Sequence, residues 1–308
     1  MSTTSAPPTS DLLGSAPARR RFDVAGLGVG RALLFVAPAL LLIGFFLIFP
    51  ALWTLYIGAT NYELTGPASV SPQTVGLGNI GAALSDPLFR NALWLTLVFV
   101  VGSAVIGQNA LGFILAWMMR HTAALLRGTV QALALIAWIL PGTVVAFLWY
   151  ALADSSGGTL NTLLGTHLAW LVRYPMTMLV VFNTWRGAAF SMLLYGSALT
   201  AVPPSQLEIA RLSGAGGLRQ VLDVVFPHIR GHVLTNTLLI TLWTANDFTP
   251  FLITAGGPNH ASEVLPVFIY NQALGSGQLG YASAISLLLL LVNLVIALVY
   301  LRLLRRRA

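Results

Sequence analysis

The sequence predicts an all-α integral membrane protein, a bundle of six transmembrane helices with one amphipathic helix on its cytoplasmic side. Three observations predict it. Hydrophobic residues make up 56% of the 308-residue chain, charged residues only 8%, and mean hydropathy is +0.81, far outside the range of soluble domains. Six apolar runs each supply the roughly 20 residues that a helix needs to cross a hydrocarbon core. The basic side chains, all of them arginine, collect in alternate loops.

Residues 1–30 are rich in Ala, Pro, Ser and Thr and carry Arg19, Arg20 and Arg21. They lack a small-residue cleavage site beyond a short apolar core, so a flexible cytoplasmic tail is expected, not a signal peptide. A membrane-spanning body is expected over 31–303, with apolar runs at 31–57, 91–118, 127–152, 175–199, 231–254 and 281–303. Pro141 interrupts the third run, and Trp185 and Arg186 the fourth. Proline inside a span is tolerated where neighbouring helices satisfy the freed carbonyl, which argues for helices buried in a bundle. Residues 304–308 form a basic C-terminal tail.

Orientation follows from the arginines, because short cytoplasmic loops are enriched in basic residues. With the N-terminus inside, 13 of the 16 fall on the cytoplasmic side; Arg90 and Arg173 lie outside and Arg186 lies within a span. Both termini are therefore expected in the cytoplasm.

Absent residue types exclude chemistry. The chain has no lysine and no cysteine. It cannot form a P-loop, whose lysine reaches the terminal phosphates, nor a Schiff base, a thiolate metal site or a thiol nucleophile. No catalytic residue and no metal-ligand set is expected, and no nucleic-acid partner. An intramembrane enzyme would need a nucleophile and a base at membrane depth, whereas His121, His167, His228, His232 and His260 fall in loops or at span ends. An ion-coupled carrier would want several intramembrane acids and a repeat of its halves; only Asp247 qualifies, and no repeat is visible.

The loop at 203–230 concentrates polarity between two apolar runs. Pro203 and Pro204 stop the fourth run, Ser205 reads as an N-cap, and Glu208 three residues on completes a capping box in which negative charge suits the helix dipole. A helix over 206–212 is predicted, then a glycine joint, then an amphipathic run with Leu218, Val221, Leu222 and Val225, ended by Pro227. A solvated connector is the plain alternative. It needs neither an apolar helical face nor a Gly-Ala-Gly-Gly joint that lets another backbone approach, so a docking surface is the better account.

Here a resemblance becomes specific. Glu208, Ile209 and Ala210, then Gly214 and Phe226-Pro227, resemble the E-A-A loop of the permease subunits of binding-protein-dependent ABC importers. Ile209 replaces the middle alanine, and Ser213 stands where an aspartate is usual. The stretches at 74–97, 140–164 and 280–286 are similar to the same family, and LITAGGPNHASEVLPVFIYNQAL at 252–274 resembles the first permease of carbohydrate-type pairs, the maltose and glycerol-3-phosphate type. The resemblance implies a type I permease bundle whose loop, through Glu208, Ala210, Gly214 and Ala215, is the coupling helix. It also implies a heterodimer with a second permease, two ATPase subunits that bind ATP and Mg, a soluble extracytoplasmic binding protein, surrounding lipid, and a sugar or related solute. The chain itself would hold no cofactor. The location implied is a bacterial or archaeal cytoplasmic membrane.

Polar side chains inside spans mark candidate solute contacts, since hiding them is costly. Asn236, Trp243 and Asp247 fall on one face of an ideal helix, and a carboxylate, an amide and an indole suit a sugar. Interhelical glue is the alternative for Asn236 and Asp247. In the fourth run Asn183 and Arg186 share a side; Arg186 is expected to pair with Asp247, or one or both to face a polar cavity. Outside, Leu265, Phe268 and Ile269 predict a helix over 262–274 that lies in the interface or dips in, and Gly256, Gly257 and Pro258 a turn where the binding protein would dock.

Overall fold

The computed structural model describes residues 29–120 and 122–305, so most of the predicted N-terminal tail, His121, Arg306 and Arg307 lie outside the described residues. Two compact units divide at Trp53. The first is helical from Val29 and passes through Pro38 into a wide turn at Gly44–Ile48. This helix, α1, reaches Trp53, and the helical residues 54–58 belong to the second unit. Its Leu34, Phe35, Leu41 and Phe46 are exposed, as befits an apolar helix of a membrane protein.

The second unit comprises α2 (Gly78–Ser85), α3 (Pro87–Met119), α4 (Ala124–Ile139), α5 (Gly142–Leu152), α6 (Thr159–Leu164) and α7 (Pro175–Thr200). It continues with α8 (Pro204–Leu212), α9 (217–245), α10 (Thr249–Thr254), α11 (265–275) and α12 (Leu279–Arg305). Helix starts are written locally. Asp86 accepts the Leu88 N–H at 2.8 Å and Pro87 fills the first helical position of α3, where its missing N–H costs nothing.

Leu33–Gly58, α3 and α12 are each long and apolar enough to cross a membrane. Of the other long helices, α7 has 26 residues but turns Asn183 and Ser191 inward, and α9 buries Asn236, Thr237 and Thr241. These polar groups are hidden by neighbouring helices, so low hydropathy and a central position go together.

The α3–α7 contact is unusually close. A Cβ on Gly107 would lie 2.2 Å from Thr184 Oγ1, one on Gly112 2.4 Å from Ser191 Cβ, and one on Gly187 2.1 Å from the Gln108 side chain. Small residues let helix backbones approach where no hydrophobic driving force separates helix from lipid. Above and below this contact lie two apolar clusters. One joins Phe99, Val145, Leu179, Phe182 and Ile253; the other joins Ala116, Met192, Tyr195, Leu199, Leu207 and Ile229.

Four expectations need correcting. The third run is not one helix: α4 and α5 meet at 100°, because Leu140 is pushed to extended backbone (ψ 137°) ahead of Pro141. The fifth run breaks at 246–248, after α9 and before α10. Pro227 does not end a helix; the wide turn at Gln220–Val225 just ahead of it absorbs the missing N–H, and α9 continues unbroken from 217 to 245. The outer helix begins at Leu265 rather than 262, and of its two expected places it takes the inward one: Leu265 and Phe268 are buried with Phe89, Ala92 and Ile285.

Gly112→Val is expected to destabilise the bundle by about 1–3 kcal/mol or more, the usual range for overpacking, read as a lower thermal unfolding temperature in detergent; unchanged unfolding would mean the α3–α7 contact is slack.

Candidate functional site

The polar loop folds from its prolines outward. Pro204 begins α8 two residues earlier than predicted, and Pro203 caps it without a side-chain bond. Ser205 is therefore inside the first turn, not the N-cap, and Glu208 lies just beyond that turn, so the expected capping box does not form. The cause is proline's fixed φ and absent N–H, which make the first helical position its favoured place.

The helix stops through the glycine. Gly214 takes a left-handed φ of +78°, its N–H donates to Arg211 O at 3.0 Å, and the Ala215 N–H donates to Ala210 O at 2.9 Å. This pair of bonds closes a helix with a residue that has no Cβ penalty. Gln220, buried, donates to Ala215 O at 2.8 Å and ties the stop to the start of α9. Ala210, Gly214 and Ala215 thus shape the end of α8, while Glu208 is exposed. Leu207 anchors the helix in the core, whereas Ile209 and Leu212 face outward, Leu212 88% exposed.

Between α4, α7 and the end of α9 lies a cavity of about 570 Å³ lined by Trp138, Asn183, Arg186, Trp243, Asn246 and Asp247, among others. The break after α9 builds it. Asp247 Oδ1 accepts the Thr249 N–H at 2.9 Å and the Thr249 hydroxyl at 2.6 Å, which turns the chain into α10. Arg186 Nη1 donates to the same hydroxyl oxygen at 3.4 Å. Arg186 and Asp247 are not in direct contact; Thr249 joins them and both border the cavity. The break between α4 and α5 supplies the facing backbone, since a Cβ on Gly142 would lie 3.1 Å from Thr249 Oγ1 and 3.4 Å from the Arg186 guanidinium.

Asn183 is held rigidly. Its side-chain N–H groups donate to Ser103 Oγ at 2.6 Å and Thr244 Oγ1 at 3.1 Å, and Gln108 donates to its backbone carbonyl at 3.0 Å. One wall is aromatic: Trp243 lies 4.9 Å from Phe190 and 6.0 Å from Trp138 between ring centres. Rings at this spacing keep an apolar flat surface beside polar groups.

Asn236 is elsewhere. It is fully buried one level along α9 and donates to Asn109 Oδ1 at 2.9 Å, Ser191 Oγ at 3.0 Å and Tyr195 Oη at 3.3 Å. The helix face that predicted Asn236, Trp243 and Asp247 together fails at both ends: Asn236 turns into the α3–α7 seam, and Asp247 is past the end of the helix. Asn236 ties helices together.

The outer turn is similarly engineered by glycine. Gly256 and Gly257 have φ of +94° and +70°, and a Cβ on Gly257 would come within 2.7 Å of Ser262 Oγ. Gly256 is buried, Gly257 half-buried and Pro258 exposed. Glu263, 2% exposed, holds the turn from beneath through His260 Nδ1 at 2.6 Å and through Asn271 Nδ2. Gly257 and Pro258 also border a cleft of about 300 Å³ with Tyr150 and Asp154. The Ser156 hydroxyl, donating to Asp154, is the largest influence holding that carboxyl below its ordinary range.

Among the described residues no three His, Cys, Asp or Glu side chains gather at a metal-sized site. Residues 108–308 match the family described as binding-protein-dependent transport system inner membrane component. The chain belongs to that family. It is the membrane permease subunit of an ATP-driven, binding-protein-dependent importer, non-catalytic, with ATP hydrolysis in a separate subunit. This permease is 29% identical over 283 residues to a probable ABC transporter permease of Pyrococcus horikoshii, covering 87% of this chain and 94% of that one. It is 28% identical over 281 residues to the sn-glycerol-3-phosphate transport system permease UgpA of Agrobacterium fabrum, covering 89% and 94%. Its fold is similar to a chain of a bacterial alginate ABC transporter crystallised with an alginate-bound periplasmic protein, with a TM-score of 0.75, 18% identity, and 90% and 94% coverage.

Sequence reasoning missed Trp138, Thr244 and Asn246 of the permease cavity, and Thr249, which joins Arg186 to Asp247. Thr249 carried a readable signal: Asp247-Phe248-Thr249-Pro250 has an acid and a hydroxyl ahead of a proline, which marks a helix start. Trp138 had none, because only the Pro141 break brings it beside Trp243.

Arg186→Leu is expected to cut initial uptake rates in vesicles at least tenfold, since a hydrogen bond to a charged group is worth about 1.5–3 kcal/mol; full uptake would remove Arg186 from the path.

Proposed function

We propose that the permease is one of two non-identical permease subunits standing on two ATPase subunits, and that it passes a sugar or sugar-like solute handed over by an extracytoplasmic binding protein. The observation that carries this reading is the cavity of about 570 Å³ in which Arg186, Asn183 and Asp247 face an indole wall. A polyhydroxylated ring has hydroxyl groups for the first set and a CH face for the second. The cavity's volume falls within the range of small-molecule sites, and the sn-glycerol-3-phosphate that UgpA is named for is in keeping with such cargo.

The loop at 203–230 is the coupling element in this reading. Its exposed Ile209 and Leu212 offer an apolar face to an ATPase groove, with Glu208 beside them, and Leu207 carries the load into the core. ATP binding closes the ATPase dimer, α8 moves with it, and α9 carries the motion to Trp243 and Asn246. The Gly256-Gly257-Pro258 turn at the opposite end meets the binding protein. The distribution of arginines places α8 and both termini in the cytoplasm. No covalent step takes place in this chain.

Leu212→Asp is expected to weaken attachment of the ATPase subunits at least tenfold, because burying a leucine contributes about 1.5–3 kcal/mol and a factor of ten needs about 1.4. Co-purification yield and uptake by the reconstituted transporter measure it; normal values for both would refute the docking role. Titration of the partner binding protein with neutral and phosphorylated sugars, polyols and amino acids is expected to give binding only among the carbohydrate-type solutes, and tight binding of an amino acid alone would refute the solute class.

A further inference from the structure

Beside α8 lies a second cavity, of about 380 Å³, lined by none of the residues assigned above to the solute. Arg120, Arg127 and Gln131 form its polar side, and Ala116, Leu199 and Val202 its apolar side; Pro204, where α8 begins, closes one edge. No acid is among its lining residues. Arg120 follows the last residue of α3, with its guanidinium 4.7 Å from the centre of the Trp117 ring. Its Nη1 is shielded from solvent and has no hydrogen-bond partner among the described residues.

A shielded cationic N–H without an acceptor is costly, and native folds keep such a group only for a reason. Burial is the larger influence that lowers the Arg120 pKa, and the charge of Arg211 on α8 adds to it. Arg120 and Arg127 in the cavity and Arg211 beside it therefore gather like charge at one end of the bundle. An oxyanion is the complementary group, and a phosphate takes two arginines in charge-assisted bonds.

The shape of the cavity distinguishes a lipid from a free ion. Its lining joins two arginines to the aliphatic Ala116, Leu199 and Val202, and Trp117, against the Arg120 guanidinium, is a residue type enriched at membrane surfaces. Basic pockets between helices at that level suit acidic headgroups. We propose that this cavity binds an anionic phospholipid, with Arg120 and Arg127 on the headgroup phosphate and the Ala116, Leu199 and Val202 wall against the upper acyl chain. The lipid then packs against the first residue of α8 and steadies the docking helix.

Native mass spectrometry of the complete transporter, exchanged into detergent with phosphatidylglycerol or phosphatidylcholine, tests this. The expected result is selective retention of phosphatidylglycerol, reduced about tenfold in R120Q and also reduced in R127Q, which stays informative if R120Q does not fold. Equal retention of the two lipids, or undiminished phosphatidylglycerol in a folded R120Q and in R127Q, overturns the proposal. Displacement of the lipid by millimolar inorganic phosphate also overturns it, in favour of a small-anion site. Weakened ATPase attachment in both variants with lipid retention unchanged overturns it as well, because the arginines would then serve carboxylates of the partner.

Discussion

The approach of α3 to α7 is the constraint on which the rest depends. Glycines at 107, 112 and 187 bring two backbones so close that the polar groups between them have only one another to bond. Asn109 Oδ1 accepts from Asn236, Thr237 and Tyr195, while its own N–H groups return to Ala104 O and Val105 O of α3. Individual bonds of this kind inside a membrane average only about 0.6 kcal/mol. Their value lies in register: a one-residue slide of α9 would strand several buried polar groups at once. Gly187 then lines the cavity beside Arg186, and Ala116 with Leu199 packs in the same apolar cluster as Leu207 of α8.

Both helix breaks serve the cavity. Continuous helices have their backbone groups satisfied internally and offer a passing solute only side chains. Where α4 gives way to α5, and α9 to α10, the backbone can approach a polar side chain closely, as Gly142 does with Thr249 and Arg186. Such interruptions are tolerated at membrane depth when they are surrounded by protein or line a cavity. Arg186 and Asp247, opposite charges in a medium that punishes either alone, share one threonine hydroxyl between the two breaks.

The membrane class and the helix and glycine stop of the loop at 203–230 were legible in the sequence because composition, prolines and glycines report them directly. Path and register were less so. Hydropathy sums over about twenty residues, so it ran across Leu140-Pro141 and across Asp247-Phe248-Thr249 as though each were part of one rod. Local chemistry was the better guide there: a proline behind an extended residue, and an acid paired with a hydroxyl ahead of a proline. Pro227 misled in the other direction, because the wide turn that absorbs it leaves no mark in residue types. Asn236 and Trp243 do share a face of an ideal helix, but periodicity does not say which neighbour that face meets. Glycines 112 and 187 read as unremarkable small residues until the opposing helix was in place.

The unbroken course of α9 has a mechanical consequence. From 217 to 245 it measures about 43 Å at the usual rise per residue, and its wide turn over Gln220–Val225 lies near the end that joins α8. A stiff beam of that length pivoting by about 10° sweeps its far tip through about 7 Å, comparable with the width of a sugar ring. A small tilt imposed at the docking end is thus amplified geometrically, and Trp243 and Asn246 sit where the sweep is largest.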